Sequence, residues 1–364
     1  MGQATVPNED VAKQFQREWE RSLLRYRNGL DQVLRPEEAP VGQTPHETTF
    51  RLDRLQVYHY PSPDQRFAPP LLIATSLVSR PYILDLHPGS SLIEYLVNRG
   101  FEVYLIDWGV PAEEDARLSL DDYVNGYLPK IIRHVKRVSG ESEIHLAGYC
   151  MGGLFALWYA ALHPRSAIRS LLCLATPVDF EHLGLFARWA DRRYFDVDKL
   201  VDTFGNVPAD LLQTAFNMLR PTANVTKYVN LWVNLWNDEY VASYRAFDRW
   251  VNDWIPFPGE AFREVTKSCI WDNQLIKGQQ VIGGKQVDLG KIRCPILNVA
   301  AASDHIVPLD STRTLTDYVG SEDRELYVAK AGHAGLVAGR SASRGLFPKV
   351  GDWLAARSDE IAPA

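Results

Sequence analysis

The chain has 364 residues, 46% of them hydrophobic, and a formal net charge of -6 spread along its length. That composition can bury one large core, or one core with a subdomain, and the absence of a basic block argues against a nucleic-acid surface. No apolar run is long enough to span a bilayer, and the polar stretch from Met1 to Asp10 lacks a signal-peptide core, so a cytoplasmic protein is expected.

In chain order, Phe15, Trp19, Leu23, Tyr26, Leu30 and Val33 recur every three or four residues among charged ones, which predicts an amphipathic helix ended by Pro36 and Pro40. Such a stripe is expected to pack on the body of the chain, with a partner subunit as the alternative. Arg51 to Tyr60 alternates as an edge strand or hairpin. Strand and helix then interleave: Leu71 to Leu77, helix from Ser90 to Asn98, Phe101 to Trp108, helix from Leu120 to Val138, Glu143 to Ala147, helix from Leu154, and Ile168 to Ala175. Between Asp179 and Gly290 strand signals disappear and aromatic residues accumulate, among them Trp232, Trp236, Trp250, Trp254 and Trp271. These read mostly as the core of an inserted helical cap, some of them lining an apolar route. Alternation resumes with the strand Pro295 to Ala301, helix Asp310 to Val319, strand Glu325 to Lys330 and a helix near Leu346 to Ala356. The pattern implies an α/β architecture with a mainly parallel sheet, and divides the chain into an N-terminal amphipathic segment (1–45), a core (46–178 and 291–364) and a cap (179–290).

Chemistry concentrates at Gly148-Tyr149-Cys150-Met151-Gly152, where a strand meets a helix. That is the setting of an α/β-hydrolase nucleophile elbow, with cysteine in place of serine. At a helix N-terminus the amides and dipole favour a thiolate, the reactive form. Of the four cysteines, Cys173, Cys269 and Cys294 are far from Cys150 and from each other in sequence, and no CxxC occurs, so neither zinc nor a disulfide framework is signalled and no metal or cofactor is expected.

A cysteine nucleophile needs a base, and the base needs a carboxylate. In α/β-hydrolase order the acid and then the histidine follow the nucleophile, which selects Asp304, just after a strand, and His333, in Ala331-Gly332-His333-Ala334-Gly335. The strongest rival base is His305, with His87 behind it. His46, His59 and His182 read as loop or irregular residues, His134 as the surface of a helix, His145 as part of the elbow strand, and His163 as a helix end. Asp179 is a rival acid, and Asp107 reads as a structural loop carboxylate. The backbone N–H of Met151 is the expected first oxyanion donor, and that of Val78, in the loop after the Leu71 strand, the second.

Arg80-Pro81-Tyr82-Ile83-Leu84-Asp85-Leu86, Tyr104 to Gly109, Gly148 to Gly153, Val201 to Pro208, Asp304-His305 and Gly332-His333 together resemble the catalytic subunit of a two-component (class III or IV) polyhydroxyalkanoate synthase. One departure is Cys269-Ile270-Trp271-Asp272-Asn273, where that family more often carries an aromatic segment beginning Asp-Phe-Tyr. The resemblance implies an α/β-hydrolase fold and polymerisation of (R)-3-hydroxyacyl-CoA, mainly short monomers such as 3-hydroxybutyryl-CoA, into a growing polyester with release of CoA. It also implies a second, non-catalytic synthase subunit, a homodimer as an allowed assembly, and association with the polymer granule surface. From the residues alone, a thioesterase or lactone hydrolase, or a non-catalytic granule scaffold, remain alternatives.

Overall fold

Apolar runs that alternate with turn residues from Glu47 onward pair into one nine-stranded sheet in this computed structural model, which describes residues 9–34 and 39–361. Pro36 and residues 1–8 of the polar start lie outside the described residues. The first strands are β1 (Glu47–Leu52), β2 (Leu55–Tyr60), β3 (Phe67–Ala74), β4 (Phe101–Asp107), β5 (Ile144–Tyr149) and β6 (Ile168–Leu174). After a separate two-residue hairpin, β7 (Val281–Ile282) and β8 (Lys285–Gln286), come β9 (Ile296–Ala301), β10 (Arg324–Ala329) and β11 (Asp359–Glu360). The sheet order is β1-β2-β4-β3-β5-β6-β9-β10, with β11 antiparallel to the start of β3. From β4 to β10 neighbouring strands are parallel, and the β1–β2 hairpin adds antiparallel to the β4 edge.

Every residue of β3 and β5 is buried, as expected for central strands covered on both faces. Alternate side chains serve two cores. Leu72, Leu146 and Leu171 face α3 (Leu128–Ser139) and α4 (Met151–Leu162), while Leu71, Ile73, Ala147 and Leu172 face α2 (Leu92–Asn98) and the helix Leu346–Ala355. In α4 every residue from Met151 to Ala161 is buried, so this helix is apolar all round and runs through the interior.

The segment after β6 is mainly helical, with α5 (Leu185–Trp189), α6 (Val197–Phe204), α7 (Ala209–Met218), α8 (Ala223–Asn234), α9 (Asp238–Asn252) and α10 (Gly259–Glu264). The β7–β8 hairpin at its end departs from the expected loss of strands. None of the five tryptophans there is fully buried, and Trp232 is 68% exposed, so the expectation that most form a cap core is corrected. Several instead tie segments together through the indole N–H: Trp250 donates to the Arg80 carbonyl at 3.0 Å, and Trp271 to that of Ala190.

Helix α1 (Glu9–Leu34) forms as its spacing predicts, but Phe15, Trp19, Leu23 and Tyr26 on its apolar stripe are all exposed rather than packed on the body. It rests on the turn between α8 and α9 through Asn28, which donates to the Leu235 carbonyl and to Asp238, and through Arg21, which lies over the Trp236 ring. Two further boundaries shift. The helix expected from Asp310 to Val319 breaks at Thr314 into Leu309–Arg313 and Leu315–Tyr318, and the expected Leu120–Val138 helix opens with a wide turn over Asp122–Tyr127. No helix among the described residues is long and apolar enough to cross a membrane.

Candidate active site

Cys150 caps the N-terminus of α4 directly after β5, with φ 56° and ψ -122°, a backbone conformation that side-chain-bearing residues rarely adopt. Its N–H donates to the Leu174 carbonyl at 2.8 Å and its carbonyl accepts from Gly153 at 3.0 Å, so hydrogen bonds on both sides hold the strained turn. Two glycines allow that turn to form. A Cβ on Gly148 would sit 2.3 Å from the Gly152 carbonyl oxygen, and one on Gly152 would sit 2.1 Å from that of Ala74. The motif therefore encodes the close approach of the elbow to β3, and it leaves the Cys150 thiol partly exposed.

The loops after β9 and β10 bring Asp304 and His333 together. Asp304 Oδ2 lies 2.7 Å from His333 Nδ1, and Oδ1 accepts from the N–H groups of Ile306 and Val307, both at 2.9 Å. Both side chains are buried, the carboxylate completely. Burial alone would lower the imidazole pKa. The Asp304 charge, then that of Cys150, and hydrogen bonds to both outweigh it and raise His333 to about 10. Cys150 is thus near enough to act on the charge of His333, whose ring Asp304 holds through Nδ1.

The Met151 N–H lies in the first turn of α4, where no intrahelical acceptor is available. Val78 lies in the loop that leaves β3, beside the strand that touches Gly152, and its N–H makes only a long 3.4 Å contact with Ser76 Oγ. This loop is anchored from below, because the Thr75 carbonyl accepts from the Trp108 indole at 2.9 Å and Thr75 Oγ1 donates to the Ile106 carbonyl at 3.1 Å.

Apart from His305, the rival residues are engaged elsewhere. His305 is exposed and makes none of the bonds that fix the Asp304 loop. His87 Nδ1 is 2.8 Å from the adjacent Pro88 carbonyl. Asp179 caps a short turn by accepting from the Glu181 N–H at 3.1 Å, and it also accepts from Asn273 Nδ2 at 2.8 Å and lies 2.9 Å from His182 Nδ1. Asp107 accepts from the Tyr58 hydroxyl and the Gly109 N–H, both at 2.9 Å, as its structural reading implies. Two histidines sit differently from expectation. His59 is not in a loop but in β2, clamped between Glu47 and Glu102, and His134 is buried beside Phe50 rather than on a helix surface. His145, inside β5, bonds Ser170 and Ser358, and burial lowers its pKa to about 3.

Among the described residues no three or more His, Cys, Asp or Glu side chains converge to hold a metal ion.

A family model for the α/β-hydrolase fold matches residues 69–339. The poly(3-hydroxyalkanoate) polymerase subunit PhaC of Haloferax mediterranei is 37% identical over 94% of this chain and 71% of its own length. That of Allochromatium vinosum is 36% identical over 90% of this chain and 92% of its own. The chain belongs to the PhaC family of poly(3-hydroxyalkanoate) polymerase subunits. This PhaC-family chain is accordingly an acyltransferase on an α/β-hydrolase fold. Among solved structures, a candidate lipase of Sulfolobus solfataricus superposes with a TM-score of 0.57 at 16% identity, covering 88% of this chain and 97% of that one. An esterase of Thermogutta terrifontis does so with 0.51 at 15% identity, covering 87% and 100%. At such identities the likeness concerns the fold alone.

One residue of this PhaC-family site goes beyond the sequence reading. Tyr149 is buried, its hydroxyl donates to the His333 carbonyl at 3.3 Å, and its ring lies 5.1 Å from the imidazole. The only signal for it was its place beside the nucleophile, because the histidine it braces lies far along the chain.

Proposed function

We propose that this protein polymerises (R)-3-hydroxyacyl-CoA, with short monomers such as 3-hydroxybutyryl-CoA preferred, through a covalent thioester on Cys150. The supporting observation is the alignment of an elbow cysteine with a buried imidazole raised by its carboxylate. In the first step the Cys150 thiolate attacks the thioester carbonyl, the carbon–sulfur bond to CoA breaks, and the departing CoA thiolate takes the proton of the His333 imidazolium. The Met151 and Val78 N–H groups face the developing oxyanion. In the second step a hydroxyl from another monomer or a chain end gives its proton to His333 and attacks the acyl group, and the carbon–sulfur bond to Cys150 breaks. Both Asp304 oxygens are already engaged, so activation of that hydroxyl falls to His333 while Asp304 orients it.

A thioester keeps the acyl group activated, which ester formation then uses. Polymer growth requires exclusion of water, and residues 179–290 serve as a lid subdomain over the core formed by 46–178 and 291–364. The exposed stripe of α1, in the segment 1–45, is a surface for the second synthase subunit or the granule. The test is incubation with (R)-3-hydroxybutyryl-CoA while following CoA release and polymer. Stoichiometric CoA and insoluble polyester are expected, both lost in Cys150→Ala. Soluble hydroxy acid without polymer would identify a thioesterase instead.

A further inference from the structure

The Arg80-Pro81-Tyr82 stretch has no role in the chemistry described so far, yet both of its polar side chains converge on one carboxylate across the boundary with the helical segment. Arg80 Nε donates to Asp253 Oδ1 at 3.1 Å, and the Tyr82 hydroxyl donates to Asp253 Oδ2 at 2.9 Å. Burial, together with the bond to Asp253, holds the Tyr82 phenol above its ordinary pKa, so it stays a donor. Pro81 opens a short turn over Pro81–Asp85 that presents the two side chains from rigid backbone. Asp253, for its part, is the residue that ends α9.

Immediately beside this junction, Ser79 forms an antiparallel bridge with Trp254, and the Val78 carbonyl accepts from the Ile255 N–H at 3.4 Å. The peptide that follows the second oxyanion donor is thus paired with backbone from the cap. At 3.4 Å that pairing is weak by itself. Arg80 and Asp253 are each about one-third exposed on their side chains, so the ion pair is shielded enough to fix geometry but carries little bulk stability.

We propose that Asp253 is a positioning residue: through Arg80 and Tyr82 it locks the Val78 loop to the seated cap, so the oxyanion donor is set when the cap is closed. The inference rests on the acyl-transfer reading of Cys150. An oxyanion donor acts on the transition state far more than on bound substrate, so a misplaced Val78 lowers kcat and spares KM.

The experiment compares wild type, Asp253→Ala, Asp253→Asn and Tyr82→Phe with (R)-3-hydroxybutyryl-CoA. Rates of CoA release are normalised to reactive Cys150 titrated with iodoacetamide. Asp253→Ala is expected to lower kcat per reactive site about tenfold or more with KM within about twofold, and the other two to fall in between. A merely structural role would reduce the fraction of reactive Cys150 or the melting temperature and leave kcat per site unchanged, and that result overturns the proposal. So does a rise in KM at constant kcat, which would mark Asp253 as a substrate contact. If wild type releases CoA without polymer, the polymerase reading fails separately, while the kcat comparison still decides Asp253 because hydrolysis passes through the same oxyanion. Absence of any CoA release from wild type overturns both.

Discussion

Tyr149, the residue before Cys150, donates its hydroxyl to the His333 carbonyl at 3.3 Å and packs its ring 5.1 Å from the imidazole, so one elbow residue braces that histidine. Tyr149→Phe keeps the ring but removes one of two bonds to that carbonyl, which still accepts from the Leu336 N–H at 3.3 Å, so a cost of about 1 kcal/mol of stability or less is expected, with roughly fivefold lower kcat or less. Tyr149→Ala opens a cavity against His333, and a loss of about 3–5 kcal/mol with a roughly hundredfold drop in kcat is expected. Urea unfolding and steady-state CoA release measure the two effects, and equal activity in both variants would remove Tyr149 from the site.

Asp304 raises His333 to about 10 against the opposing effect of burial. In the proposed mechanism this imidazolium protonates departing CoA, so acylation is expected to persist into alkaline solution in wild type and to decline as pH rises through the folded-state pKa. Asp304→Asn removes the raising charge, so the alkaline limb of the single-turnover profile moves to lower pH. The same shift contributes stability that is fully present below the unfolded pKa of 6.5 and is lost as pH rises through about 10. Unfolding free energies across this window should slope downward in wild type and flatten in the variant.

Acylation and elongation make different demands on the base, since only elongation takes a proton from an alcohol. Asp304→Ala, assayed on the acid side of its lowered alkaline limb, is expected to retain a first burst of CoA and to lose chain growth. Rapid-quench sampling of CoA in the first turnover decides this, and a missing burst would show that acylation also depends on the carboxylate.

Gly152 faces backbone, not a side chain that could move aside. A Cβ there would lie 2.1 Å from the Ala74 oxygen and 2.8 Å from the Thr75 nitrogen. Gly152→Ala must therefore separate the elbow from β3, at a cost of about 1–3 kcal/mol or more, and displace Cys150. Denaturant midpoints and iodoacetamide labelling should both fall, whereas unchanged labelling would mean that the elbow tolerates the shift.

Helix α1 meets the body through Asn28, Arg27 and Arg21, while Phe15, Trp19, Leu23 and Tyr26 stay exposed. Removal of residues 1–34 is expected to change stability by no more than about 1 kcal/mol and to leave CoA release intact. Cosedimentation with poly(3-hydroxybutyrate) particles should fall, and undiminished cosedimentation would assign granule contact to another surface.

Much of this site was legible because its signals are local. The elbow declares itself in five consecutive residues, and Asp304 and His333 follow strands whose apolar runs are unmistakable, in the order the fold requires. Element type survived for the same reason, although the break at Thr314 and the wide turn before α3 escaped a reading based on periodicity. The settings of His59 and His134 are not legible in sequence, because Glu47, Glu102 and Phe50 reach them from other strands.

Local order in the chain determined the fold class, the strained cysteine turn and the family resemblance, since each depends on residues near one another or on regular spacing. The tertiary structure decided what depends on distant partners: that Asp304 rather than Asp179 meets His333, that Tyr149 braces it, and that Asp253 reaches the Val78 loop. It also decided that Phe15, Trp19, Leu23 and Tyr26 of α1 find no cover among the described residues, because amphipathic spacing specifies a sticky face but carries no record of what will meet it.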